Sequence, residues 1–171
     1  MGDTTDVDDN KRLFLPVNDL KFKDLLDWEN KEERNHRLQI QKHLKAQGKA
    51  QQDSVFLNSA DLHKKCFGNA ITLNDESIAL FRLGNKVYAI QALCPHAGGP
   101  LHMGDIEDFS PGEVCLKCPW HKWKFKVDTG AILSPTGQNI TAKTFPVRVD
   151  NIGNIFIGFD SLGPSYFEMD S

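Results

Sequence analysis

The rhythm of hydrophobic and polar positions changes near residue 51. From Asn18 to Gln47 the chain has no proline or glycine and is dense in Lys, Glu, Gln, Leu and Arg. That composition predicts a helix capped by Asn18 or Asp19 and closed by Gly48. Phe22, Leu25, Leu26 and Glu29 keep helical spacing, but residues 29–37 (ENKEERNHR) offer no apolar position. The core-facing stripe is short, so the helix is expected to pack loosely or to be largely solvated. A helix that docks a partner is the sharper alternative.

Beyond Gln51 the pattern turns to short β-type runs between turn signals. Val55 to Leu57, Ala70 to Leu73, Ile78 to Leu83 and Val87 to Ile90 read as strands, the last two joined by the two-residue turn Gly84-Asn85. Val114 to Lys117, Trp123 to Val127, Phe145 to Val149 and Asn154 to Phe159 follow, with Asp128-Thr129-Gly130 and Asn151-Ile152-Gly153 as turns. Many short strands predict a mainly β, antiparallel sandwich or small barrel. The expected division is an acidic, flexible N-terminus over 1–17, a helical extension over 18–53, the β domain over 54–160 and a polar tail over 161–171.

Composition narrows the class. At 171 residues, with 40% hydrophobic and 25% charged positions, one main core is expected. A net charge of −3 is too small to argue for nucleic acid, and no apolar run approaches the roughly 18 to 20 residues that span a bilayer. The opening MGDTTDVDDN is acidic, unlike a transit or signal peptide, and Asp6 breaks the myristoylation pattern. Four cysteines, two of them next to histidines, read as metal ligands in a reducing compartment, which favours the cytoplasm.

The chemistry concentrates in two knuckles, Cys94-Pro95-His96 and Cys118-Pro119-Trp120-His121. Together they offer two thiolates and two imidazoles, a set suited to zinc or to an iron-sulfur cluster with mixed ligation. In an extended loop Cys94 and His96 point the same way, and Pro95 and Pro119 push the preceding cysteine toward an extended conformation. Gly98, Gly99 and Gly104 let the backbone approach a cluster. Structural zinc usually draws a Cys pair from one knuckle and a spaced His pair from another, whereas each knuckle here is mixed. Cys115-x-x-Cys118 is nevertheless a zinc-like spacing. Cys66 and Cys115 otherwise read as incidental thiols, and His102 as a surface residue.

Residues 94–101 (CPHAGGPL), with Cys118-Pro119-Trp120-His121, Phe125 and Asp128-Thr129-Gly130, resemble the Rieske iron-sulfur domain. The similarity covers roughly residues 54–160, with Ser134 to Gly137 resembling the family's proline-containing loop. The resemblance implies a Rieske-like antiparallel β-sandwich with a small cluster-binding subdomain, preceded by the helical extension, and one 2Fe-2S cluster. Cys94 and Cys118 would hold its inner iron, His96 and His121 its outer iron. The segment between the knuckles is longer than the family's, and the extra length is assigned to a surface loop at residues 107–112 (EDFSPG).

Respiratory members of this family carry two further cysteines that bridge the loops, and the matching positions here are Gly99 and Trp120. Their serine and tyrosine hydroxyls match Trp123 and Phe125, which donate no O–H bond to sulfur. Fewer donors leave the reduced cluster less stabilised, so the expected potential lies toward the low end of the Rieske range of roughly −150 to +300 mV. That pattern matches soluble Rieske-type ferredoxins, electron carriers rather than enzymes, working between a reductase and an oxygenase or other acceptor. A non-redox zinc or regulatory module, or a small accessory subunit of a redox enzyme, is the alternative. No histidine follows His121, so the separate mononuclear iron of an oxygenase is not expected here. Lys122, Lys124 and Lys126 alternate with Trp123, Phe125 and Val127, giving either a solvated face or a basic patch that steers an acidic partner.

Overall fold

Glu76–Leu83 is buried on both faces, and that strand organises the molecule. The computed structural model describes residues 11–47 and 68–168. In chain order the strands are β1 (Leu13–Lys21), β2 (Asn69–Leu73), β3 (Glu76–Leu83), β4 (Lys86–Gln91), β5 (Asp105–Ser110) and β6 (Glu113–Lys117). They continue as β7 (Lys124–Lys126), β8 (Ile132–Ser134), β9 (Thr144–Phe145), β10 (Val147–Val149) and β11 (Asn154–Phe159), with a single helix α1 (Lys31–Gln47) among the described residues. They form three antiparallel sheets ordered β1-β11-β10, β2-β3-β4-β9 and β5-β6-β7-β8.

Alternate residues of β3 feed two different cores. Ile78 and Leu80 pack with Leu20, Leu25, Ile155 and Ile157 against the β1-β11-β10 sheet. Ala79, Phe81 and Leu83 turn the other way, toward Trp28, Leu101, Leu116 and Phe125 of the β5–β8 side. A strand covered on both sides reads as a near-continuous apolar run, which is why ESIALFRL lacks clean alternation. Cys94 and Cys118 belong to the second core. The candidate site therefore lies at the margin of packed structure.

The helix expected from Asn18 begins instead at Lys31, because the preceding residues pair with a distant strand. β1 runs antiparallel to β11, with Leu13 opposite Phe159 and Leu15 opposite Ile157, and Leu15 and Val17 reach the first core. β1 is an edge strand, where Pro16 is tolerated, and its register shifts before Lys21, with Asp19 at φ 61°. Asn30 starts α1: its Oδ1 accepts from the N–H groups of Glu32 (3.0 Å) and Glu33 (3.3 Å). The expected closure at Gly48, the strand at Val55 to Leu57 and Cys66 lie outside the described residues. β1 takes up residues 13–17, expected to be flexible, and it and Leu25 pack into the first core while Trp28 packs into the second.

The helix is largely solvated, as expected, with Arg37 the one buried side chain among its described positions. Its short apolar stripe is replaced by arginines: Arg34 donates to the Ile106 carbonyl (3.1 Å), and Arg37, only 2% exposed, lies over the Trp28 ring at 3.8 Å while pairing with Asp105. Guanidinium suits this role because its plane stacks while its edge binds carboxylate.

Three further differences have local causes. The expected strand from Phe145 to Val149 is split at Pro146, so β9 joins β4 and β10 joins β11. The expected surface loop at residues 107–112 extends the β5–β6 hairpin, turning at Pro111-Gly112 with Gly112 at φ 78°. The polar tail is anchored on the β2–β3 turn, where Asn74 Oδ1 accepts the Gly163 N–H (2.6 Å) and Asp75 Oδ2 the Ser165 N–H (3.0 Å).

Substituting Arg37→Ala removes one partner of a buried ion pair, so it should cost about 3 kcal/mol in urea unfolding. Arg37→Lys, which keeps charge but loses the stacking plane, should recover only part of that loss.

Candidate metal centre

The two knuckles fold into the same turn. The Cys94 N–H donates to the Gly99 carbonyl (2.7 Å), and its own carbonyl accepts the Gly98 N–H (2.8 Å). One loop away, the Cys118 N–H donates to the Trp123 carbonyl (2.8 Å), and its carbonyl accepts the Lys122 N–H (3.0 Å). In each case the cysteine is bonded by the residues four and five positions later. The fourth residue takes a positive φ in both, 76° at Gly98 and 61° at Lys122. The frames match although histidine sits two positions after the first cysteine and three after the second.

These loops leave the ends of β4 and β6 and face one another. The chain re-closes after the first through a Leu93–Pro100 bridge and the Leu101 N–H bond to Ala92. At Gly99 they come close: a Cβ there would lie 2.8 Å from Cys118 Sγ and 3.2 Å from the Trp120 indole. Any side chain would push the loops apart. Gly104, in contrast, lies against the Lys117 carbonyl, where a Cβ would sit at 2.3 Å. Its role is close approach to β6 rather than to the loops.

All four sequence-predicted residues lie on these two loops, but the expected extended loop that points Cys94 and His96 the same way is instead a turn, with the cysteine in the core and the histidine at the surface. Cys94 and Cys118 are 3% and 1% exposed, whereas both histidines are exposed. Burial pushes the Cys94 thiol up; the His96 N–H pulls it back, the nearby Cys118 thiol adds to the rise, and the Ala97 N–H again favours the thiolate. The His96 and His121 rings meet edge to face, 4.8 Å between centroids. Among the described residues no three His, Cys, Asp or Glu side chains gather around one point. The two thiols are buried and the two imidazoles exposed.

Trp123, which the resemblance set beside the cluster sulfurs but not among the ligands, joins the site through His96. The Trp123 indole lies parallel to the His96 imidazole, 3.8 Å between centroids and 9° between planes. Such aromatic pairs contribute about 0.5–1.5 kcal/mol beyond burial. The available signal was its place five residues after Cys118, matching Gly99 after Cys94. Trp120, 59% exposed, packs against Gly99, and Leu93, 56% exposed, precedes the first cysteine.

The remaining candidates fall elsewhere. Cys115 is fully buried in β6, with burial pushing its thiol up, and His102 is half-buried in the turn at Leu101–Met103. The expected lysine row is largely compensated. Lys124 and Lys117 face each other across β6 and β7 and share Glu107, at 3.4 Å and 2.5 Å, while Lys126 pairs with Glu113 at 2.9 Å. Like charges directly opposite are unfavourable, and Glu107 from β5 relieves them.

A family model for soluble Rieske-type ferredoxins matches residues 55–147. A Rieske domain-containing protein of Homo sapiens is 33% identical over 136 residues, spanning 72% of this chain and 83% of its own length. The ferredoxin component of the naphthalene 1,2-dioxygenase system of Pseudomonas putida is 32% identical over 83 residues, 48% of this chain and 73% of that one. Among solved structures, a Mycobacterium tuberculosis chain described as an NADH-dependent nitrite reductase small subunit gives a TM-score of 0.58 over 88% of this chain and 98% of that chain, at 18% identity. That likeness bears on the fold, a Rieske-type β architecture. The chain belongs to the soluble Rieske-type ferredoxin family.

Lys122 holds a left-handed conformation that costs a side-chain-bearing residue about 1 kcal/mol, so Lys122→Gly should raise stability by about that amount in thermal unfolding. For Glu107, burial pushes the carboxyl up, but the hydrogen bond and charge of Lys117, with Lys124 behind it, outweigh burial and hold it below its ordinary value of 4.5. A depressed folded pKa stabilises above that ordinary value and loses its contribution as pH falls through the folded one. Glu107→Gln should therefore cost about 0.5–1 kcal/mol at neutral pH, with wild type and variant converging in acid titrations.

Proposed function

We propose that Cys94, Cys118, His96 and His121 hold one 2Fe-2S cluster, and that the chain carries single electrons between a reductase and an acceptor such as an oxygenase. The observation that carries this reading is the pairing of two matched loops, with thiols buried together and imidazoles exposed together. A single four-coordinate zinc ion calls for four ligands around one point. Two buried thiols and two exposed imidazoles, the imidazoles in contact with each other, suit two irons with two protein ligands each.

The donor chemistry fits. Cys94 and Cys118 would hold the inner iron, and the N–H groups of His96 and Ala97, already directed at the Cys94 sulfur, would stabilise thiolate charge there. His96 and His121 would hold the outer iron and present an edge to solvent. When bound, the cluster supplies a one-electron couple, while the fold sets its potential and docking face. Exposed Leu93 and Trp120 flank that edge, giving a redox partner an apolar anchor. Compensation of Lys124 and Lys126 leaves exposed Lys122 to contribute to steering.

The ferredoxin components of dioxygenase systems among the relatives support this assignment, and an electron carrier is a component of such a system rather than an enzyme. A cytoplasmic setting is supported by the buried thiol of Cys115, which is in no disulfide. Among the described residues no helix is long and apolar enough to cross a membrane.

Visible absorption, and EPR after dithionite reduction, test the proposal. Wild type should show a 2Fe-2S spectrum and a reduced-state signal, both lost in Cys94→Ser and Cys118→Ser and altered or lost in His96→Ala and His121→Ala. Redox titration should place the midpoint toward the lower part of the range of roughly −150 to +300 mV, because neither Trp123 nor Phe125 supplies a hydroxyl. A colourless protein with stoichiometric zinc would sink the assignment.

A further inference from the structure

A histidine that binds metal is normally oriented by a hydrogen bond from its second ring nitrogen to a carboxylate, carbonyl or water. Among the described residues no hydrogen bond to protein holds the His96 imidazole. Its plane is set by rings instead, with Trp123 stacked flat against it and His121 meeting it edge to face. Trp123 is itself fixed twice. Its carbonyl accepts the Cys118 N–H (2.8 Å), closing the second loop, and its side chain packs on the core containing Phe125 and Leu116. It is a rigid wall belonging to one loop against which the key histidine of the other loop rests.

We propose that Trp123 is a positioning residue for His96, holding the imidazole plane in the orientation from which it serves the cluster. This rests on the cluster assignment made above. The stacking face restricts ring rotation across the gap between the two loops. It also ties loop closure to ligand orientation, since the same residue closes one loop and braces the other. The flat face of the ring, rather than the bulk of the indole, is what the role requires.

The test uses the full chain as purified, in wild-type form and as Trp123→Phe, Trp123→Met and Trp123→Leu. Two quantities are read: the rate of iron loss to a chelator, and the g-tensor of the dithionite-reduced protein by EPR. The ring-free variants Trp123→Met and Trp123→Leu should lose iron about tenfold faster or more and show a shifted g-tensor, while Trp123→Phe should stay close to wild type in both. Ring-free and phenylalanine variants that all match a normal wild type would overturn the role of Trp123 alone. So would a phenylalanine variant as impaired as the ring-free ones, since that outcome makes bulk the requirement. Should the ring-free variants fail to fold, Trp123→Phe decides by itself: wild-type retention and g-tensor support ring-plane control, and iron loss about tenfold faster overturns it. A wild-type chain without a 2Fe-2S spectrum overturns the cluster assignment and this inference together.

Discussion

The site depends on two backbone hydrogen bonds, from the Cys94 N–H to Gly99 and from the Cys118 N–H to Trp123. Each closes a turn over its cysteine, and each places that cysteine's side chain inward and the histidine outward. The turn needs a residue of positive φ one position before its end, which glycine supplies without strain in the first loop and Lys122 adopts in the second. Because both loops obey the same bonding rule, one histidine can be two positions from its cysteine and the other three, and their rings still meet.

What keeps these loops facing each other is the layered core beneath them. β3 is covered on both sides, so the middle sheet is fixed between the other two, and the strands that launch the loops come from different sheets, β4 from the middle one and β6 from the outer one. Cys94 and Cys118 are thereby core residues as well as candidate ligands. A thiol in that position resists ionisation until something favours its charge, and the N–H groups of His96 and Ala97 stand ready to do so. Absence of a side chain at Gly99 lets the sulfur and indole of the opposite loop come close.

Polar contacts finish the arrangement where apolar pattern runs out. The helix has no continuous hydrophobic stripe, yet Arg37 is buried against Trp28 and Asp105. Asp105 lies opposite Lys117, the residue before Cys118. Glu107, in the stretch that lengthens the hairpin, answers the two lysines that face each other on β6 and β7. The N-terminal residues and the long hairpin are thus parts of the same body as the loops.

Local chemistry was legible in the residues themselves. Cys94-Pro95-His96 and Cys118-Pro119-Trp120-His121 carry a ligand set that few functions need, Gly84-Asn85 announces its hairpin, and Asn154 to Phe159 keeps its strand bounds. Their signals are short-range, carried by neighbours in the chain. The pairing of Leu13–Lys21 with β11 was not legible, because helical propensity over residues 18–30 says nothing of a strand more than a hundred residues away. Nor was the burial of Arg37, since a charged residue reads as solvent-facing until its partners are known. The lysine row looked uncompensated because Glu107 and Glu113 reach it only through strand register. By itself the sequence determined the candidate ligands and the hairpin turns that separate the strands. Tertiary structure decided which strand fills the edge, which charges are paired, and that Trp123 lies flat on His96, because those outcomes depend on contacts between segments the chain order keeps apart.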